Sequence, residues 1–150
     1  MKKLITTLLI ISTIFFSGCE KKDYDATFGS ISFIVPGGWK MLDTKEINEG
    51  FHNYEFVEKN DLKLIVGTCE TDALIYSVKI LSEVQATGNP VTSFDEDGYT
   101  SVYFEDSKGS HCLIMIRDDT GNVLELYDFC AKSISQYKLQ EIIGTITITE

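Results

Sequence analysis

From Phe28 onward the spacing of apolar residues switches between the two-residue repeat of a strand and the three-to-four-residue repeat of a helix. Phe28 to Val35 is rich in β-branched and aromatic residues. It places Ile31, Phe33 and Val35 on one face and stops at the turn Pro36-Gly37-Gly38. Trp39, the single Trp, follows as a core anchor. Residues 41–50 are polar and end at Gly50, which reads as a connection. Phe51 to Glu58 and Leu62 to Cys69 predict two strands of a hairpin, turned by Lys59-Asn60-Asp61. Thr71-Asp72 can cap a helix with the apolar stripe Leu74, Ile75, Val78, Leu81 and Val84, ended by Gly88 and Pro90. The β-branched residues there leave a strand over Ile75–Leu81 as the alternative.

Beyond Pro90 the pattern becomes a meander. Strands are expected over Tyr99 to Phe104, Ser110 to Arg117 and Val123 to Phe129, joined by turns at 105–109 and 118–122. Ser133 and Gln136 fit a capping box, and Ile134, Tyr137, Ile142 and Ile143 give the next helix its buried side. Gly144 ends it, and Thr145 to Thr149 alternates Thr and Ile as a final half-buried strand. The order is strand, hairpin, helix, three-strand meander, helix, strand. This is an α+β class built on an antiparallel β-sheet flanked by helices.

The first residues follow a different rule. Lys2 and Lys3 precede an apolar run from Leu4 to Phe16 that is broken only by small hydroxyl residues, and Ser17-Gly18-Cys19 closes it. A positive start, a short apolar stretch and small residues are the layout of an export signal, and the run is short for a transmembrane helix. Phe16-Ser17-Gly18-Cys19 resembles the lipobox of bacterial lipoproteins, with Phe16 where that family prefers Leu. The resemblance implies cleavage before Cys19 and a diacylglyceryl group on its thiol. It also implies delivery to the outer membrane in a two-membrane host, because Glu20 stands where Asp would favour retention, and an outward-facing anchor in a one-membrane host. Residues 1–18 are thus expected to be a signal peptide, 19–27 a lipidated polar tether, and 28–150 a single domain.

Cleavage removes two lysines, so the formal charge moves from −10 to −12, with 23 acidic residues retained. Such a chain is repelled by nucleic acid and anionic lipid heads, so nucleic-acid binding is excluded and membrane association is assigned to the lipid. Acidity otherwise serves solubility.

Two stretches carry a further resemblance. Gly29 to Lys40, with its Pro-Gly turn and Trp39, and Tyr137 to Ile148, a closing helix and strand, resemble the PsbP-like fold. That family holds an antiparallel sheet between helices and includes photosystem accessory proteins, DcrB-type envelope lipoproteins and secretion-linked chaperones. The resemblance implies a PsbP-like α/β/α sandwich and a protein that is not an enzyme.

The residues point the same way. His52 and His111 are the only histidines, and no nucleophile-elbow, zincin or phosphate-loop motif occurs. His111 and Cys112 are neighbours on a strand and so point to opposite faces, which disfavours a Cys–His dyad from that pair. No tight Cys or His spacing marks a metal site, and no cofactor is expected. Asp95, Asp97, Asp118 and Asp119 lie in loops that up-and-down pairing brings to one end of the sheet. They are candidates for holding a cation or a partner, against a plainer role as solvated turn residues. Export permits a disulfide among Cys69, Cys112 and Cys130. If residue 118 pairs with 122, residue 112 faces 128. A register shifted by one residue on each strand sets Cys112 opposite Cys130, and only one of these registers allows a bridge. Buried, unbridged thiols are the other reading.

The expectation is therefore a lipid-anchored envelope protein that binds a partner, another envelope protein, rather than catalysing a reaction. Alternatives are an immunity or inhibitor lipoprotein against a basic toxin, and a cation- or ligand-binding module.

Overall fold

The computed structural model describes residues 21–47 and 51–149, so the expected signal segment and Cys19 lie outside the described residues. Tyr24–Phe28 (β1) and Ile31–Val35 (β2) form a tight hairpin, and Thr147–Ile148 (β10) pairs with the other side of β2. β1 is a correction to the expected tether, because Ala26 and Phe28 alternate inward and drive residues 24–28 onto the core. Ile31, Phe33 and Val35 are buried as their alternation requires.

The larger sheet begins with Lys40–Ile47 (β3), another strand where the polar composition suggested a connection. β3 pairs with Phe51–Glu58 (β4), and β4 with Asp61–Cys69 (β5). A helix, Ala73–Thr87 (α1), then carries the chain to Thr92–Glu96 (β6), a strand also absent from the sequence reading. Tyr99–Asp106 (β7), Gly109–Arg117 (β8) and Val123–Ala131 (β9) complete the meander. The strand order is β3-β4-β5-β9-β8-β7-β6. The first hairpins and the meander thus merge through antiparallel β5 and β9, a pairing that local pattern cannot reveal. With Gln136–Ile143 (α2), the described residues are an α+β fold of mostly antiparallel sheet and two helices. No helix among them is long and apolar enough to cross a membrane.

One face of the seven-stranded sheet packs against the small sheet, α2 and the buried Trp39. Phe33 stacks edge-on to Phe129 and Phe56, with ring centroids 5.1 and 5.9 Å apart. The single proton of the Tyr127 hydroxyl lies between the Phe28 carbonyl (3.0 Å) and the Glu125 carboxylate, and Glu125 also accepts from Ser30, so the pair ties the sheets together. A Cβ on Gly29, whose φ is +50°, would run into the Tyr127 hydroxyl, so this turn requires glycine. The opposite face carries Val102, Phe104, Leu113, Met115 and Leu126 beneath α1.

Both helices differ from their expected registers. α1 is capped at its C-terminus by Gly88 in the left-handed conformation, as expected, but Asp72 at its N-cap is itself left-handed and makes no side-chain cap. It buries Ala73, Ser77 and Val84, while Leu74, Ile75 and Val78 are 46%, 66% and 57% exposed. Tyr76, Ile80 and Leu81 pack partly buried against the apolar cluster on the sheet below, so the helix meets the sheet on a side turned away from Leu74, Ile75 and Val78. α2 starts two residues later than the capping-box reading. Ser135 accepts the Lys138 N–H (3.1 Å), while Ser133 is drawn to the Leu62 carbonyl (2.9 Å). Leu139, Ile142 and Ile143 are buried and Tyr137 is exposed.

Candidate functional site

A cavity of about 720 Å³ lies between α1 and the polar part of the sheet. Tyr76, Ile80 and Val84 of α1 form its roof, and Phe51, Ile65 and Phe104 supply apolar wall from the sheet. Gly67 forms part of the floor. A Cβ there would stand 2.9 Å from Asn53 Oδ1 and 3.1 Å from the Phe51 ring, so glycine lets these two side chains close over the strand at the cavity wall.

His111 is the buried centre of the floor. Its Nδ1 is 2.9 Å from Asp128 Oδ1 and its Nε2 is 3.0 Å from Asp106 Oδ1. Carboxylate oxygens accept, so both ring nitrogens donate and the ring is an imidazolium. Burial opposes that charge. Hydrogen bonding and attraction from Asp128, with Cys130 adding to both, more than offset the burial and push the pKa up to about 10. Asp106 is also opposed by burial, yet it is held below its usual range by the Lys108 N–H, by His111 and by the Gly109 N–H. Phe104 stacks on the imidazolium, with centroids 4.8 Å apart and planes 5° from parallel.

The strand register builds this clamp. His111 pairs directly with Cys130, and Asp128 is the diagonal neighbour on the same face. Asp106 reaches in from the β7–β8 turn, where its Oδ1 also accepts the N–H groups of Lys108 (2.7 Å) and Gly109 (3.2 Å). Cys130 Sγ lies 3.5 Å from His111 Nε2. Nε2 also meets the Asp106 carboxylate at the shorter distance of 3.0 Å, so the thiol shares that nitrogen with a carboxylate. Among the described residues no group of three or more His, Cys, Asp or Glu is arranged to hold a metal ion.

The Cys112–Cys130 disulfide that one strand register would have allowed is not formed, and the alternative of unbridged thiols holds. Asp118 N–H does bond the Asn122 carbonyl (2.9 Å), but a bulge at Arg117 shifts the strands. Cys112 therefore faces Phe129, lies on the aromatic side of the sheet and is buried away from Cys130. Cys69, Cys112 and Cys130 are all free. Burial raises the Cys112 thiol to about 12.

The acidic loops do share one end of the sheet, as their connectivity implies. Asp118, however, is consumed by its own turn. Its carboxylate accepts from Thr120 Oγ1 (2.7 Å), Thr120 N–H (2.9 Å), Asn122 N–H (2.9 Å) and Asn122 Nδ2 (3.1 Å), which lowers its pKa to about 2. Asp95 accepts from Thr100 (2.9 Å), and Arg117 borders the same shallow surface as Asp95 and Glu96. Asp97 and Asp119 are exposed.

From the sequence, His111 was set against Cys112 and among Cys and His residues without metal-site spacing, while Asp106 and Asp128 were passed over. One signal was available: Asp128 is a charged residue inside the apolar run from Leu126 to Ala131, and such a residue needs a partner on its own face.

No family model and no curated protein matches the chain. Among solved structures it is similar to a crystal structure from Bacteroides thetaiotaomicron VPI-5482 at 1.50 Å resolution, with 16% identity and a TM-score of 0.43. The match covers 87% of this chain and 49% of that one, so the chain spans about half the length of the structure it matches.

Proposed function

We propose that this chain is a lipid-anchored bacterial envelope protein that holds a small ligand in the cavity beneath α1 without turning it over. The observation that carries the ligand reading is the cavity itself, with aromatic walls and a few fixed polar groups, a size and lining suited to a small organic molecule. The anchored reading rests on the Lys2–Cys19 segment and its likeness to a lipobox. The finer architecture belongs to the same proposal. Helix α1 on one sheet face and α2 on the other agree with a PsbP-like sandwich. Binding without turnover is favoured because His111, the one buried histidine, is locked between two carboxylates.

A protein partner is the second reading, favoured by the exposed row Leu74, Ile75 and Val78 on α1. Native mass spectrometry of the protein extracted from its host membranes tests both. The expected result is a diacylglyceryl mass on Cys19 and a bound small molecule that is lost when Ile80→Trp fills the cavity. A lipidated protein that carries only a second polypeptide, unaffected by Ile80→Trp, would overturn the ligand reading in favour of the partner.

A further inference from the structure

The antiparallel connections sort the charges of this acidic chain by end. The turns β4–β5 and β7–β8, the start of β3 and the end of β9 lie at one end of the large sheet. Exposed Lys40, Lys59, Lys108 and Lys132 stand there, and Lys132 Nζ donates to the Lys108 carbonyl (3.3 Å). The N-terminal segment docks at this same end. A Cβ on Gly38 would lie 2.9 Å from the Lys21 side chain and 3.6 Å from Glu58, and the Gly37 N–H donates to Asp23 (2.7 Å). Three carboxylates at this end are engaged with protein partners: Asp23 with Gly37, Asp61 with Lys63 and Ser133, and Asp106 with His111. Glu58 lies 3.8 Å from Lys63, and exposed Glu105 accepts from Ser110 (3.1 Å). The opposite end carries Asp95, Glu96, Asp97, Asp118 and Asp119, with Arg117 as a local counter-charge.

We infer that the lysine-bearing end is the membrane-facing surface of the domain and docks on anionic phospholipid headgroups. This rests on the lipid-anchored reading. Cys19 is two residues before Lys21, and trans peptide geometry limits that gap to about 7 Å. An acyl anchor on Cys19 therefore holds this end, not the acidic one, against the bilayer. A basic patch beside an acyl anchor adds electrostatic attraction to anionic headgroups and so sets which end of the domain faces them. The net charge of −12 expected after cleavage hides this because repulsion acts over a screening length of about 8 Å at physiological salt, shorter than the sheet is long. Ser107, Lys108, Lys132 and Asn89, which line part of the cavity, lie at this same end, so that part of the lining lies toward the bilayer.

The test is lysine acetylation footprinting of the lipidated protein in phosphatidylcholine vesicles, with and without phosphatidylglycerol. Intact mass is first used to establish the lipid on Cys19. Expected is an acetylation rate at Lys59, Lys108 and Lys132 about threefold lower in the anionic vesicles. Lys79, partway along α1, is unchanged, and the difference vanishes in high salt. Equal rates in both vesicles, or equal protection of Lys79, overturn the orientation while leaving the anchor in place. A protein without lipid on Cys19 overturns the anchored reading and the orientation with it.

Discussion

The two faces of the seven-stranded sheet are made by the same strands, yet one is solid and the other hollow. Toward the small sheet, Cys112, Ile114, Tyr127 and Phe129 interlock with Phe33 and Ile142. Toward α1, the alternating residues of the same two strands include His111, Asp128 and Cys130, and Gly67 adds no side chain at all. The apolar face is filled by shape. The α1 face is apolar where Val102, Leu113, Met115 and Leu126 pack under the helix, and beside them it is held by an ion clamp that requires fixed geometry, where the helix leaves a cavity. The contrast teaches that stability and binding capacity are divided by strand alternation, residue by residue.

Truncation on the solid face should have the largest effect. Phe129→Ala removes a fully buried ring and is expected to cost about 3–5 kcal/mol, read as the midpoint shift in guanidinium melts. A loss below about 1 kcal/mol would mean that this face collapses around the gap and is not tightly packed.

Next comes the clamp. His111→Phe keeps a ring beside Phe104 but leaves Asp106 and Asp128 facing each other without a cation, at a cost of about 3 kcal/mol or more. Adding Asp128→Asn to that variant should recover part of the loss. If it recovers nothing, the clamp is not an electrostatic unit.

The pH dependence follows from the same residue. The folded pKa of His111, about 10, lies above its ordinary 6.5, so the folded state binds the proton more tightly. Its stabilising contribution is complete below about pH 6.5 and is lost as pH rises through about 10. Urea melts of the wild type should weaken across that window by at most about 1.4 kcal/mol per pH unit, and His111→Phe should not show this slope. Equal slopes in both proteins would assign the effect to other groups.

Smaller effects fall at the margins. Ser135→Ala removes the cap of α2 and should cost about 1 kcal/mol by thermal melting. Ile75→Lys, on the outer face of α1, should change stability by no more than about 0.5 kcal/mol. A larger loss would show that this row is covered in solution, which would sharpen the case for a partner over a ligand.

The elements that were legible in the sequence are those with a strong local signal. The alternation of Ile31, Phe33 and Val35, the turn at Pro36, the stop at Gly88 and the meander strands all follow from local sterics and burial. β1, β3 and β6 were not legible. β6 is exposed throughout and has no apolar alternation to give, and β1 is short and starts among charged residues. The stripe on α1 misled because helical spacing shows that apolar residues share a side, not that the side meets the core. The bulge at Arg117, which decides every facing pair between β8 and β9, leaves no local mark that would choose between registers.

By itself the sequence determined the α+β class, most strand and helix positions, the acidic balance and the expectation of a lipid anchor at Cys19, because each depends on residues close together in the chain. Only the tertiary structure decided that β9 lies between β5 and β8, that His111 meets Asp106, Asp128 and Cys130, and that the lysines gather at one end. Those are contacts between residues far apart in sequence. They are set by the register and packing of whole strands, and a single side chain carries no information about which distant strand it will face.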